Sequence, residues 1–351
     1  MNAAGQSLII LTPGFPENEE DSACLPWMQN FIRNLHQQYP LVSLTIISLQ
    51  YPHKKGEYRW FGIPVIALGG KNKGGLATYF LRNRLSSLLK RLYKTNSCSG
   101  LLSFWYGECA RSAELFAKKK KLLHYCWIAG QDAKTGNPYP AKVGISSDRL
   151  IAVSDFIQDH FEQNHGVKPA HVIPFGTDTS LFASNLPVKD IDLLAVGSLI
   201  PLKQYEVFIE AVSVIKEKMP NVKAVLIGKG PEERKLKELI EKYKLSDTIT
   251  LTGELPYQAV LQYMQRAKVF LHPSSYEGFG CVCTEALFAG AFVIRFTRPM
   301  KKDMTNTFVV RTKEEMISNT LQLLLENKTG RPVNEYPVEE TVKKAATLFK
   351  L

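Results

Sequence analysis

Two glutamates, Glu277 and Glu285, stand with seven residues between them in the segment PSSYEGFGCVCTEALFAG, residues 273–290, which follows an apolar run and predicts a turn opening a helix. A helix start leaves backbone N–H groups without intrahelical acceptors, and a glycine lets a ligand approach the backbone closely, so a diphosphate would be well held there. The expected amide donors are Phe279, Gly280 and Cys281, with Gly278 and Gly280 permitting the approach. Were the whole segment helical, eight steps of about 1.5 Å would separate the two carboxylates by about 12 Å. The paired carboxylates of a retaining hydrolase need about 5 Å, so this pair suits the two ends of one extended ligand better than joint attack on one bond. A plainer alternative stays open: Glu277 as a loop acid and Glu285 as an acid favoured by the helix dipole.

The elements that must position these residues are short apolar strands alternating with amphipathic helices. In the first half the strands are Leu8 to Leu11, LVSLTIISL, Gly100 to Phe104, Leu122 to Ile128, Leu150 to Val153 and His171 to Pro174. After the polar stretch Ser184 to Asp190 the alternation restarts with DLLAVGSL, VKAVLIGKG, TITLTG, KVFLHPSS and FVIRF. Such a pattern predicts an α/β protein with two Rossmann-like domains whose parallel sheets face an interdomain cleft. The expected domains are residues 1–186 and 187–336. The DxD at Asp190 and Asp192 leads into a buried strand, a structural rather than metal-binding setting.

The segment 273–290 resembles the signature of family 4 glycosyltransferases and their GT-B relatives. The resemblance runs over residues 145 to 295 with further segments in the same order: LIAVSDFIQDHFEQNHGVKPAHVIPFGTDTSLF, VGSLIPLKQYEVFIEA, LIGKGPEERKLKELIEKYKL and TLTGELPYQAVLQYMQRAKVFLHPS. It implies that Glu277 touches the donor sugar, that Glu285 binds the nucleotide ribose, and that Lys203 meets the diphosphate. It places Gly228 and Gly230 near the nucleotide, and the backbone of Glu254 and Leu255 at the base. Where the family often has arginine this chain has Ser198, which leaves phosphate binding leaning on Lys203. Gly14 is retained from the family's first-strand glycine loop, but an acidic run, Glu17 to Asp21, replaces the second glycine. Ala129 stands where relatives carry histidine, and Phe175 where many have asparagine. Asp132 is a candidate base for an acceptor hydroxyl, with a turn-forming role as its alternative, and His124 fits a core histidine. The last segment, PVEETVKKAATLFKL, is expected as a helix, residues 337–351, crossing back to the first domain as in relatives.

Retention at the anomeric carbon follows from the resemblance, as does a nucleotide diphosphate sugar, UDP- or GDP-linked, used without a metal. The expected acceptor is a glycan or lipid-linked molecule in cell-surface polysaccharide synthesis. Competing readings are a non-catalytic protein that binds nucleotide sugars or anionic surfaces, and an epimerase or phosphorylase on the same frame.

Charge is unevenly distributed. The net charge is +11, yet residues 50–125 alone hold fifteen Lys or Arg against Glu57, Glu108 and Glu114. An anionic partner should therefore meet the first half. Residues 76–94 put Leu81, Leu85, Leu88, Leu89 and Leu92 on one stripe beside Arg82, Arg84, Lys90, Arg91 and Lys94, as an interfacial helix on anionic lipid would, or an ordinary helix packed on a sheet. The basic residues lack interleaved aromatics and no nucleic-acid module is recognisable, which argues against a nucleic-acid partner. Six scattered cysteines without CxxC spacing fit free thiols, and the N-terminal stretch does not read as a signal peptide, so a cytoplasmic protein, peripheral at the inner membrane face, is expected.

Overall fold

Apolar runs become strands with both faces covered, as parallel strands under helices must be. The computed structural model, describing residues 5–95, 98–185, 187–328 and 330–351, divides into two units, Met1–Phe175 with Val338–Leu351, and Gly176–Pro337. In the first unit β1 (Ser7–Gly14), β2 (Ser43–Tyr51), β3 (Gly56–Trp60), β4 (Ile63–Ala67), β5 (Cys98–Phe104), β6 (Leu123–Ile128), β7 (Leu150–Ala152) and β8 (His171–Val172) form one sheet in the order β3-β4-β2-β1-β5-β6-β7-β8. Every neighbouring pair is parallel except β3 with β4. That hairpin lies outside the strands expected from the sequence. It turns on Phe61 and Gly62, both at positive φ (45° and 79°), the two-residue turn whose twist matches antiparallel strands.

The helices of this unit are α1 (Pro26–Gln38), α2 (Leu76–Thr95), α3 (Glu108–Lys120), α4 (Tyr139–Val143) and α5 (Asp155–His165). The leucine stripe of α2 faces inward: Leu81, Leu85, Leu88 and Leu89 are buried with Ile9, Leu11 and Leu101 of the sheet, and Leu92 packs against the same cluster. These leucines are therefore not a lipid-facing surface. Ser154, the serine after β7, caps α5 by accepting from the Ile157 N–H at 3.1 Å. Phe175 is 4% exposed and stacks on Trp27 with ring centroids 3.8 Å apart, a core role that asparagine could not fill.

The second unit carries β9 (Ile191–Val196), β10 (Ala224–Ile227), β11 (Ile249–Gly253), β12 (Ala267–His272), β13 (Phe292–Arg295) and β14 (Thr307–Val309), with α6 (Tyr205–Lys218), α7 (Glu233–Lys242), α8 (Tyr257–Arg266), α9 (Cys281–Phe288) and α10 (Lys313–Leu325). Its strands are all parallel in the order β11-β10-β9-β12-β13-β14, so the chain reverses its direction of travel across the sheet between β9 and β12. Ligands of open α/β sheets bind beyond the strand ends at such a point.

The division between the units falls at Phe175 and Gly176, ahead of the expected boundary at 186. Local hydrogen bonds hold the intervening segment in the second unit: Thr177 N–H donates to Tyr336 O at 2.8 Å, and the Gln265 amide pairs with both backbone groups of Ala183. The closing helix α11 (Val338–Phe349) belongs to the first unit, where Thr341 Oγ1 donates to Pro174 O at 2.8 Å and Phe349 meets Tyr125 edge-on at 5.0 Å.

Candidate functional site

The loops after β9 and β12 bring together most of the expected donor-site residues. After β9, Ser198 lies exposed and the chain makes a short 3-10 turn, Pro201–Lys203. Lys203 Nζ then reaches Glu277 Oε2, in the loop after β12, at 2.6 Å. His272, the last residue of β12, places Nε2 3.1 Å from the same oxygen. Burial pushes the His272 ring down to about 4, with the Lys203 and Arg295 charges adding and Glu277 opposing. The ring is thus neutral near pH 7, and facing a carboxylate it must carry its proton on Nε2. Burial by itself raises the Glu277 carboxyl, but the His272 hydrogen bond and the Lys203 charge outweigh it and hold the group well below the usual carboxylate range. Glu277 is therefore an ionised acceptor fixed on two sides.

Gly280 caps α9 with φ 80°, and a Cβ there would lie 2.9 Å from Arg295 Nη2 and 3.2 Å from Glu277 Cγ. Only glycine fits both the left-handed backbone and that space. The first turn of α9 starts at Cys281, so its N–H groups and the dipole form an anion-binding helix terminus beside the Lys203–Glu277 pair. The Phe279 ring is buried, edge-on to Tyr336 at 5.2 Å, leaving its backbone as the functional part. Burial lifts the Cys281 thiol far above its ordinary value, so it stays protonated and is no nucleophile.

Glu285 sits one helical turn on, 7% exposed, with Oε1 accepting from Tyr257 Oη at 2.7 Å. Burial raises its carboxyl to about 7 against the partial opposition of that hydrogen bond. Tyr257 opens α8 just after Leu255, and no motif marks it in the sequence; its position at a helix start after TGELP is the available signal. Leu255 itself is half-buried at this end. Gly228 has a packing reason of its own: a Cβ there would lie 1.9 Å from Gly197 O, so the loops after β9 and β10 touch backbone to backbone.

The remaining candidates lie in the first unit. Gly14 ends β1 opposite Tyr51. Asp132 is 8% exposed, and its oxygens accept from the N–H groups of Tyr106 (2.8 Å), Gly130 (2.8 Å) and Ala129 (3.2 Å). A carboxylate so engaged with backbone organises its loop, and the reading as an acceptor base gives way to the turn-forming one. His124 is buried between Ser103 Oγ (2.9 Å) and Glu114 Oε2 (2.7 Å). The order Ser–His–Glu is that of a nucleophilic triad, but Ser103 is 0% exposed, so these are satisfied core groups. Asp190 is bidentate to Arg266 (2.8 and 2.6 Å), and Asp192 binds Lys268 at 2.9 Å and the Lys223 N–H at 2.8 Å, so the DxD pins β9.

Two half-buried tryptophans that no sequence motif singles out lie close together. Trp105 follows β5, next to the point where the first sheet reverses between β1 and β5, in the left-handed conformation (φ 62°); Trp27 lies 5.5 Å from it. Strain of this kind in a bulky residue concentrates at functional sites. Elsewhere on this unit α2 and α3 enclose a cavity of about 610 Å³ lined by Arg82, Lys90, Lys94, Arg111, Lys119 and Lys120 among others. Arg82 and Arg111 pair with Glu108, whereas Lys90, Lys94 and Lys119 have no ion-pair partner among the described residues. Leu76, Tyr79 and Phe80 of α2 are exposed nearby.

Two Rossmann-like units, one carrying a cation, a carboxylate and a glycine-capped helix at its point of reversal, have the architecture of the GT-B fold. Residues 177–344 match the family described as glycosyl transferases group 1. One component of the phosphatidylinositol N-acetylglucosaminyltransferase from Arabidopsis thaliana is 30% identical over 152 residues, 42% of this chain and 34% of that protein. The GtfA component of the UDP-N-acetylglucosamine–peptide N-acetylglucosaminyltransferase from Streptococcus pneumoniae is 28% identical over 156 residues, 44% of this chain and 30% of that protein. The chain thus matches about a third of the length of these relatives. Over the full fold, sucrose-phosphate synthase from Thermosynechococcus elongatus superposes with a TM-score of 0.71 at 15% identity, covering 98% of each chain.

Proposed function

We propose that this protein transfers a sugar from a nucleoside diphosphate, with UDP favoured over GDP, to a glycan or lipid-linked acceptor, with retention at the anomeric carbon. The observation that carries the reading is the Lys203–Glu277 pair at 2.6 Å beside the glycine cap of α9. In the proposed reaction the bond from the anomeric carbon to the phosphate oxygen breaks and its electron pair leaves with the diphosphate. The acceptor oxygen bonds to the same carbon on the same face, and its proton passes to the departing phosphate oxygen. Lys203 and the N–H groups of Gly280 and Cys281 take the charge that develops there, so the step uses no metal. Ionised Glu277 accepts from the sugar hydroxyls, and Glu285 with Tyr257 takes the ribose. UDP is favoured because the pneumococcal relative is named for UDP-N-acetylglucosamine.

Thermal melts against UDP, GDP, ADP and their sugars test the reading. One nucleotide should raise the melting temperature of the wild type by mass action, and Glu285→Ala should abolish that rise. Silence across the panel would remove the donor reading, and binding without turnover over a broad acceptor screen would favour the non-catalytic alternative.

The acceptor side belongs in this proposal to the first unit. Half-buried Trp105 offers a flat face for a sugar ring, and the basic α2–α3 cavity with exposed Leu76, Tyr79 and Phe80 suits the surface of an anionic membrane at its cytoplasmic face. Among the described residues no helix is long and apolar enough to cross a membrane. Vesicles containing phosphatidylglycerol should retain the wild type at low salt and release the Lys90→Glu/Lys119→Glu variant, while phosphatidylcholine vesicles retain neither. Equal retention of both proteins would rule this surface out.

A further inference from the structure

Arg295 is the last residue of β13, in register with His272 at the end of β12, and is only 1% exposed. Its Nη2 donates to Phe279 O at 3.2 Å and to Thr297 Oγ1 at 3.0 Å, both uncharged acceptors. Nε and Nη1 have no hydrogen-bond partner among the described residues. A guanidinium stays charged in a protein, and a buried charge without a partner is costly. An apolar residue, as suits the rest of the FVIR strand, would avoid that cost.

The position of the charge gives it a use. Nη2 lies 2.9 Å from where a Cβ on Gly280 would stand, so the guanidinium is packed against the cap of α9. A trans peptide points its C=O and its N–H in opposite directions. With the Phe279 carbonyl drawn onto Arg295, the Gly280 N–H of the same peptide points away from the arginine. Lys203 is paired with Glu277 at 2.6 Å, whereas Arg295 has no ion-pair partner among the described residues, so its charge is open to an anion.

We propose that Arg295 is a positioning residue for the donor diphosphate: it sets the Phe279–Gly280 peptide toward the ligand, and its charge stands in for the arginine that relatives carry where this chain has Ser198. This rests on the donor reading above.

Titration calorimetry with UDP, GDP and ADP, and with the matching nucleosides, tests it on the full chain. Arg295→Met should bind the recognised diphosphate about tenfold to a hundredfold more weakly, the loss expected for a charge-assisted contact. Its affinity for the nucleoside should not change, and the melting temperature without ligand should not fall. Arg295→Lys should retain most of the affinity, and adding Ser198→Arg to Arg295→Met should recover it. Equal diphosphate affinity in wild type and Arg295→Met would overturn the proposal, as would a lowered melting temperature with equal loss for nucleoside and diphosphate. Should Arg295→Met not fold, Ser198→Arg in the native chain decides: tighter diphosphate binding supports the role and unchanged binding removes it. If the wild type binds no diphosphate, the donor reading fails and this inference with it; if it binds and the substitutions leave its diphosphate affinity unchanged, this inference alone fails.

Discussion

Replacing Lys203 by methionine is expected to lower turnover about a hundredfold to a thousandfold with the nucleotide sugar that the melting panel identifies. The magnitude is that of removing one preorganised group aimed at charge developing in a transition state. Two effects add. The diphosphate loses its direct cation, in a chain that already has Ser198 where relatives often place another. Glu277 also loses the partner 2.6 Å away that helps to hold it ionised. Burial alone raises that carboxyl, so in the variant it should titrate higher, and activity should fall off at a higher pH on the acid side than in the wild type. Rate–pH profiles of the two proteins check both points. A variant with unimpaired turnover and an unshifted acid limb would exclude Lys203 from the chemistry.

A second large effect is expected from Glu285, whose carboxyl burial raises to about 7. In the proposed donor site the ionised form is the better acceptor for the ribose hydroxyls and the protonated form the poorer one, so nucleotide-sugar affinity should rise about tenfold between about pH 6 and about pH 8. A nucleotide sugar is the right probe because its phosphates do not titrate in that range. Stability without ligand runs the other way. The folded pKa lies above the ordinary glutamate value of 4.5, so the contribution of this group is fully present below 4.5 and is lost as the pH rises through about 7. Glu285→Gln should flatten both dependences and bind the donor weakly at every pH. Calorimetry and melts across the range measure the two together, and a wild-type affinity that is flat from pH 6 to pH 8 would contradict the assignment.

Much of this protein can be read along the chain because its physics is local. Parallel strands covered on both faces must be apolar throughout, so DLLAV, KAVLI and FVIR stand out without any partner. A glycine just before a helix start marks a possible anion-binding turn by its own backbone requirements, so Gly280 and Cys281 stand out along the chain, whereas Lys203 and the two glutamates are named through the family resemblance. The β3–β4 hairpin escapes such a reading because its strands are short and mix charged with apolar residues, leaving only the Phe61–Gly62 turn as a signal.

What the tertiary structure alone decided concerns residues whose role depends on neighbours far along the chain. Asp132 looks the same in sequence whether it meets a substrate or the N–H groups of Tyr106 and Gly130; folding chose the latter. The α2 leucines could have faced lipid or sheet, and the β1–β5 surface claimed them. Arg295 is a lone cation in an apolar strand until β13 is laid beside β12 and the Phe279 carbonyl comes within 3.2 Å. Periodicity and spacing report which backbone each segment prefers, but burial, charge pairing and the pKa of a group are properties of the three-dimensional environment. They are fixed only when distant segments close around it.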